Sequence, residues 1–287
     1  MTQPSFQQPE RIQATHDHGH GHDHAHTHIH SQGMNGDQHE HDHWAEDDYL
    51  GRPGVFEVAQ ITYESVIHAL VSAGIKEDIY KTWDVLEIGC GPGTVTKHLL
   101  STFSTIHSID ISPSMLLNLS KYLPSESFPN LTYSLHNLSP NSPQQFKDKA
   151  LLISPTVEDR RREISPPRDK FDLAVSSLVL HHVDDIPSFM LAAIGLVKDG
   201  GWLVFAEMGV IPDNNGEGHS KPTEHGPFNA PEHHRPSFTT DSLIRLFESY
   251  GLTNVYAEER GELPIFGTEE GKMRVPGLIV RGRKGKE

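Results

Sequence analysis

The sequence predicts an α/β fold, with parallel strands in a central sheet and helices covering both faces. Two observations carry this. Trp83-Asp84-Val85-Leu86-Glu87-Ile88 is an apolar run too short for a helix, and it breaks into glycine at every second position, Gly89, Gly91 and Gly93. A buried parallel strand ends this way, in a tight turn ahead of a helix. Ile106-His107-Ser108-Ile109-Asp110 is a second short run, and its closing acid lies 17 residues after Gly93, room for one helix and a return strand. Open α/β sheets bind ligands at the carboxyl ends of their strands, so Glu87, the glycine turn and Asp110 mark the predicted site.

The residue types at that site select a ligand. Glycine lets the backbone take positive φ and lets a ligand approach the main chain closely. Thr94 is expected to cap the following helix, leaving its amide N–H groups facing the bound molecule. A carboxylate at Asp110 can accept both hydroxyls of a ribose, which reads as a nucleoside site. The loop Gly89-Cys90-Gly91-Pro92-Gly93 departs from the G-x-G-x-x-G dinucleotide fingerprint, its third glycine coming one place early. Glu87 beside the loop suits a cationic ligand better than a pyrophosphate. A nicotinamide-dependent enzyme is therefore the disfavoured alternative.

Four blocks in order resemble the class I S-adenosylmethionine-dependent methyltransferases: Glu87 to Gly93, Ile109 to Leu116, Phe171 to Asp185, and Leu196 to Glu207. The resemblance implies a Rossmann-like seven-stranded, mostly parallel sheet whose last strand is antiparallel. It also implies S-adenosyl-L-methionine as cofactor. Carried over residue by residue, the cofactor contacts would be Glu87, Gly89, Cys90, Gly91 and Gly93 around the loop and Asp110 at the ribose. Ile111 and Met115 would flank the adenine, and Ser177 would emerge beside the cofactor at the end of the fourth strand. Relatives place an aspartate near position 137 to accept from the adenine amino group; here Asn137 stands there, and its amide oxygen can still accept.

Composition narrows the partners. A formal net charge of −15 argues against gripping nucleic-acid phosphates. The single cysteine, Cys90, excludes a disulfide framework and reads as a small packing residue in the loop. No stretch reaches the length of a membrane span, and the polar N-terminus lacks a signal-peptide apolar region. A monomer in the cytoplasm, with access to the nucleus, is expected.

Residues 1–45 are expected to form a disordered tail, and 46–287 a methyltransferase domain with a loop insertion at 139–170. The tail is poor in large apolar residues and holds 11 of the 21 histidines between His16 and His43, eight of them alternating from His16 to His30. Neutral imidazoles at that density chelate divalent transition metals such as Zn²⁺, Ni²⁺ or Cu²⁺. Either this is a low-complexity tail with incidental affinity or it stores or senses metal. A non-catalytic metal-responsive protein on the same scaffold is thus the second function class.

The elements follow in order. Gly54 to Ala73 carries Val55, Val58, Ile61, Val66, Ile67, Leu70 and Val71 at helical spacing, and Gly74 ends it. By the resemblance, the segment before it can fold over the cofactor, with Trp44, Tyr49 and Phe56 as lid candidates; ordinary packing is the alternative, preferred for Phe56 and of equal weight for Tyr49. A helix from Thr94 to about Thr102 precedes the Asp110 strand, and Pro113 opens another to Leu123. Leu131 to Leu135 is the third strand. Ser139 to Lys170 is long and rich in Pro, Ser and charge, with a solvated helix as its expected structured content. Phe171 to Ser177 is the fourth strand, Ile186 to Val197 a helix, and Trp202 to Glu207 the fifth strand after Gly200-Gly201. Phe238-Thr239-Thr240-Asp241 starts the last helix, which Gly251 stops, and Leu252 to Ala257 and Val275 to Val280 close the sheet.

Catalytic candidates are histidines. In Leu178-Val179-Leu180-His181-His182-Val183-Asp184-Asp185 one histidine orients substrate or takes a proton, while the other bonds backbone or its aspartate neighbours; His182 is the preferred candidate. The loop from Met208 to Pro236 adds His219, His225, His233 and His234. Loops at this edge form substrate sites, and resemblance to a branch of small methyltransferases marks His233 and His234; the alternative is surface histidines in a flexible loop. These four lack recognisable metal-ligand spacing, and no catalytic metal is expected. The Asn/Asp-Pro-Pro-Tyr/Phe turn of enzymes that methylate exocyclic amines of nucleobases or glutamine amides is absent. The expected acceptor is a small molecule or lipid-like compound.

Overall fold

A computed structural model describes residue 42 and residues 48–124, 126–149, 168–210, 238–264 and 274–286. Apart from Asp42, the histidine-rich tail, with the lid candidate Trp44, lies outside the described residues, as do residues 150–167 of the expected insertion and His219, His225, His233 and His234.

Among the described residues, seven strands form one sheet: β1 (Asp84–Ile88), β2 (Thr105–Asp110), β3 (Leu131–Leu135), β4 (Phe171–Ser177), β5 (Val197–Met208), β6 (Thr253–Pro264) and β7 (Arg274–Arg283). Their spatial order is β3-β2-β1-β4-β5-β7-β6. The first five pair in parallel, and β7 runs antiparallel to both β5 and β6. The chain winds outward from β1 to β3 and then returns to the other side of β1 at β4. That reversal is the topological switch point, and its carboxyl edge is where such sheets hold ligands.

Period-two alternation splits the core into two layers. On one face Val85, Leu173, Val175, Trp202, Val204, Ala206 and Ile279 meet α1 (Val55–Ser72), α3 (Thr94–Leu100) and α4 (Pro113–Tyr122). On the other, Leu86, Ala174, Leu203, Phe205, Leu278 and Val280 meet α5 (Ser142–Asp148), α6 (Ile186–Gly195) and α7 (Thr240–Ser249). Strands covered on both sides must be apolar on both sides, so β1, β4 and β5 read as nearly continuous apolar runs. Each fully buried aliphatic or aromatic side chain among them contributes about 1.5–3 kcal/mol.

The helix starts are chemically specified. Ser112 caps α4 by accepting from the Met115 N–H, Asp185 caps α6 at Ser188, and Thr239 with Ser242 forms a capping box on α7. Several details differ from the sequence pattern; among them, the helix expected to reach Val197 ends at Gly195 and β5 begins at Val197, ahead of Trp202. The apolar stripe of α1 includes Val71, yet Val71 is exposed, because it lies off the face carrying Val66, Ala69 and Leu70. β6 runs on through Glu258, Glu259 and Glu262, which pair with β7; a long partner strand overrides the low β-propensity of those acids. The expected insertion begins as core: α5 buries Phe146, whose ring packs edge-on to Phe171 at 6.1 Å. A one-turn helix, α2 (Glu77–Tyr80), went unpredicted; it seats Tyr80 against Phe103.

Candidate active site

Backbone geometry builds the first half of the site. The Gly89 and Cys90 N–H groups both donate to the Ile109 carbonyl, at 2.8 and 3.1 Å, which ties the glycine loop to β2. Gly91 has φ 53° and donates its N–H to Asp110 Oδ2 at 2.7 Å. Among the described residues, no atom beyond its two chain neighbours lies within 4 Å of where a Cβ on Gly91 would stand, so the backbone faces open space there. Gly89, at φ 69°, is the opposite case: a side chain would collide with Val179, in the turn after β4. The cap of α3 is Gly93 rather than Thr94, which is the first helical residue and is buried; no side chain caps this helix.

Two acids close the edge. Asp110 Oδ1 accepts from the Ser112 N–H at 2.9 Å and Oδ2 from the Gly91 N–H at 2.7 Å. Burial pushes this carboxyl above the usual range, and the N–H donors from Ser112, Gly91 and Ile111 pull it back down. Glu87 is buried more deeply. Its Oε2 accepts from Thr96 Oγ at 2.6 Å and Ser108 Oγ at 2.8 Å, and burial raises its pKa to about 7 against those two hydroxyls. Cys90 is buried and its thiol is pushed up, first by burial and then by Asp110 and Glu87, which leaves an inert packing residue.

The second half lies on the other side of the switch point. Leu178, directly after β4, has φ 55°, a left-handed conformation that costs an ordinary side chain about 1–2 kcal/mol. Its N–H donates to the Ala206 carbonyl at 2.9 Å, holding the turn to β5. His181 Nδ1 meets Glu207 Oε2 at 2.8 Å, and the Leu180 N–H donates to Glu207 Oε1 at 2.7 Å. Glu207 is 1% exposed. His182, the preferred candidate from sequence, is exposed, its ring centre 4.1 Å from that of His181.

A family model described as a methyltransferase domain matches residues 59–257, which span all these features. This chain belongs to the methyltransferase family. A methyltransferase of Schizosaccharomyces pombe, itself described as uncharacterised, is 24% identical over 175 residues, 59% of this chain and 53% of that one; the chain spans about half the length of this relative. Among solved structures, a chain of the complex between the Haloferax volcanii Trm112 methyltransferase activator and a putative methyltransferase matches with a TM-score of 0.52 at 14% identity, covering 80% of this chain and 92% of that one. A Haemonchus contortus phosphoethanolamine N-methyltransferase 2, bound to phosphomonomethylethanolamine and S-adenosylhomocysteine, gives 0.50 at 13%, covering 85% and 56%. A chain from a structure of disulfide-to-thioacetal conversion in echinomycin biosynthesis gives 0.51 at 15%, covering 84% and 89%. At these identities the structural likenesses establish the fold.

Within this methyltransferase the other candidate residues spread along the same edge. Ile111 follows Asp110 and is 66% exposed, an apolar side chain left open beside the acid. Met115 is buried under the first turn of α4. Asn137 is exposed just past β3. Ser177 Oγ donates to Thr62 Oγ1 of α1 at 3.3 Å, while its neighbour Ser176 is buried with no partner for its Oγ among the described residues. The residues that sequence reasoning missed are Thr96, Ser108, Glu207 and Asp42. Asp42 accepts from Ser112 Oγ at 2.9 Å and from the Ser114 N–H at 3.0 Å, so the compact unit, which begins at His41, reaches five residues ahead of the expected domain start. Glu207 did leave a signal: its strand, like β1 and β2, carries an acid as its last or next-to-last residue.

Proposed function

We propose that this methyltransferase draws on S-adenosyl-L-methionine and methylates a small-molecule or lipid-like acceptor. The observation that carries the reading is the pairing of open space over Gly91 with Asp110 beside it. Asp110 accepts backbone N–H groups from Gly91, Ser112 and Ile111, three donors shared over about four lone-pair sites, which leaves capacity for a ribose hydroxyl. Ile111 offers an exposed apolar face next to that acid, suited to an adenine ring, with Asn137 nearby in sequence order at the end of the next strand. The Haemonchus contortus neighbour of the same fold, solved with S-adenosylhomocysteine, supports the same cofactor class.

When bound, the cofactor supplies an activated methyl group: the carbon–sulfur pair stays on sulfur while a lone pair of the acceptor forms the new bond. The protein's own task is then alignment and proton handling. Gly89, Cys90, Gly91 and Gly93 shape the backbone cradle, Glu87 braces it through Thr96 and Ser108, and Ser177 borders it at the end of β4. In this reading His181 takes the proton, and His182 and the loop residue His233 are candidates for orienting the acceptor. The net charge of −15 disfavours a nucleic-acid acceptor.

Incubating the protein with methyl-labelled S-adenosylmethionine and a size-filtered small-molecule cell extract tests the proposal. Label should move into an extract component when the parent is present and fail to move with Asp110→Ala. Label that moves into added RNA or protein but into nothing in the extract would contradict the acceptor class.

A further inference from the structure

We infer that Glu207 is a positioning residue that holds His181 with its proton on Nδ1 and Nε2 left as an acceptor, so that the methyl acceptor is a compound whose attacking atom carries an O–H or N–H proton. This rests on the methyltransferase reading of the site and deepens it. Glu207 is the penultimate residue of β5 and is 1% exposed, and three donors converge on it: the Leu180 N–H on Oε1 at 2.7 Å, and His181 Nδ1 and the Met208 N–H on Oε2 at 2.8 and 3.3 Å. The two backbone groups can only donate, so the carboxylate serves as the acceptor of the whole cluster and Nδ1 carries the proton. Free imidazole in water prefers the other tautomer, with the proton on Nε2; the buried carboxylate reverses that preference. The His181 side chain is itself only 8% exposed, so water competes little for Nδ1.

The turn that carries His181 points the same way. Leu178 is held at φ 55°, and strain of this kind persists where surrounding structure enforces it, often at functional turns. Its enforcement here is visible on both sides: the Leu178 N–H is fixed to Ala206, next to Glu207 in β5, and Val179 fills the space that a side chain at Gly89 would take. The histidine is thereby locked to the glycine loop and to β5 together.

The proton step balances within these groups. A proton passes from the acceptor's O–H or N–H to Nε2 of His181, its bonding pair stays on the acceptor's heteroatom, and the imidazolium charge arises 2.8 Å from the Glu207 carboxylate. An acceptor with no proton on its attacking atom, such as a thioether or tertiary amine, has no use for this pair.

The test is ¹⁵N NMR of the full-length protein labelled on histidine, with His181 assigned by its loss in His181→Asn. The parent should show His181 with Nδ1 protonated and Nε2 unprotonated. In Glu207→Gln the amide oxygen stays with the Leu180 N–H and the NH₂ turns to His181, so the tautomer should flip. Transfer of label to the extract acceptor should fall on the order of 100-fold in that variant, with S-adenosylhomocysteine affinity unchanged within about threefold. A parent carrying its proton on Nε2, which requires no variant to observe, would overturn the inference. So would a folded Glu207→Gln that transfers methyl at the parent's rate, or a labelled product methylated on an atom that never bore a proton. Failure of S-adenosylhomocysteine to bind the parent would instead count against the methyltransferase reading, whatever the tautomer.

Discussion

The two halves of the site, on either side of the switch point, are built by different means. The β1–β2 half is made of backbone: a glycine loop, N–H groups and the Asp110 carboxyl that two of them hold. The β4–β5 half is made of side chains, with a strained Leu178 turn aiming His181 at a buried Glu207 that lies 26 residues further along the chain. In the proposed function the first half would hold the cofactor, whose fixed shape local geometry can meet. The second would meet the acceptor, and its parts come together only when β4 and β5 pair. Gly89 is the joint between them, because Val179 of the second half occupies the space over it.

The largest effect should come from filling the open side of the first half. Gly91→Val puts a branched side chain where the ligand meets the backbone and should weaken S-adenosylhomocysteine binding more than about 100-fold. The positive φ adds about 1–2 kcal/mol of strain, so a thermal melt should still show a cooperative, slightly destabilised fold. If binding survives, the backbone half does not hold the ligand.

Breaking the joint is the next test. Gly89→Ala forces Val179 aside and should destabilise the protein by about 1–3 kcal/mol while displacing His181. A variant as stable as the parent would show that the two halves are independent.

A third test concerns the buried titratable groups. His107 and His136 are kept neutral by burial, at about 3 and about 4, and they bond Thr132 and Ser142 within the fold. Their contribution is intact above the unfolded value of about 6.5. As pH falls below it, the unfolded chain takes up protons that the folded chain refuses, so stability declines toward about pH 3–4. Glu87, raised to about 7, acts in the opposite sense: its contribution is whole below about 4.5 and is lost as pH rises toward 7. Melts of Glu87→Gln should therefore lose stability on acidification more steeply than the parent. Superimposable curves would contradict the assignment of Glu87 as a buried, raised acid.

The smallest effect should come from the tail. Deleting residues 1–40 should leave S-adenosylhomocysteine affinity within about twofold and remove most Ni²⁺ or Zn²⁺ binding, which should fade below about pH 6 as imidazoles protonate. Extending the deletion to residue 43 takes Asp42 away from Ser112 and Ser114 and should weaken cofactor binding a few-fold further. Equal affinities for the two truncations would place Asp42 outside the site.

The same contrast explains what the sequence made legible. β1, the glycine loop and Asp110 lie within one local stretch, and turn chemistry and strand periodicity report on neighbours in sequence. β3 and β4 have their expected bounds for the same reason. His181 and His182 sit in the same turn, and what distinguishes them in the fold, the contact of His181 with Glu207, was not local. The length of β6 and the burial of Phe146 likewise depend on partners brought in from elsewhere in the chain.

Calorimetric titration of S-adenosylhomocysteine, S-adenosylmethionine and NAD into the parent and Asp110→Ala tests the central claim most directly. The parent should bind both sulfur nucleosides at micromolar level, on the order of −8 kcal/mol, and show no heat with NAD. Asp110→Ala removes the ribose acceptor and should lose about 1–3 kcal/mol of that affinity. Binding of NAD with no response to either sulfur nucleoside would contradict the account.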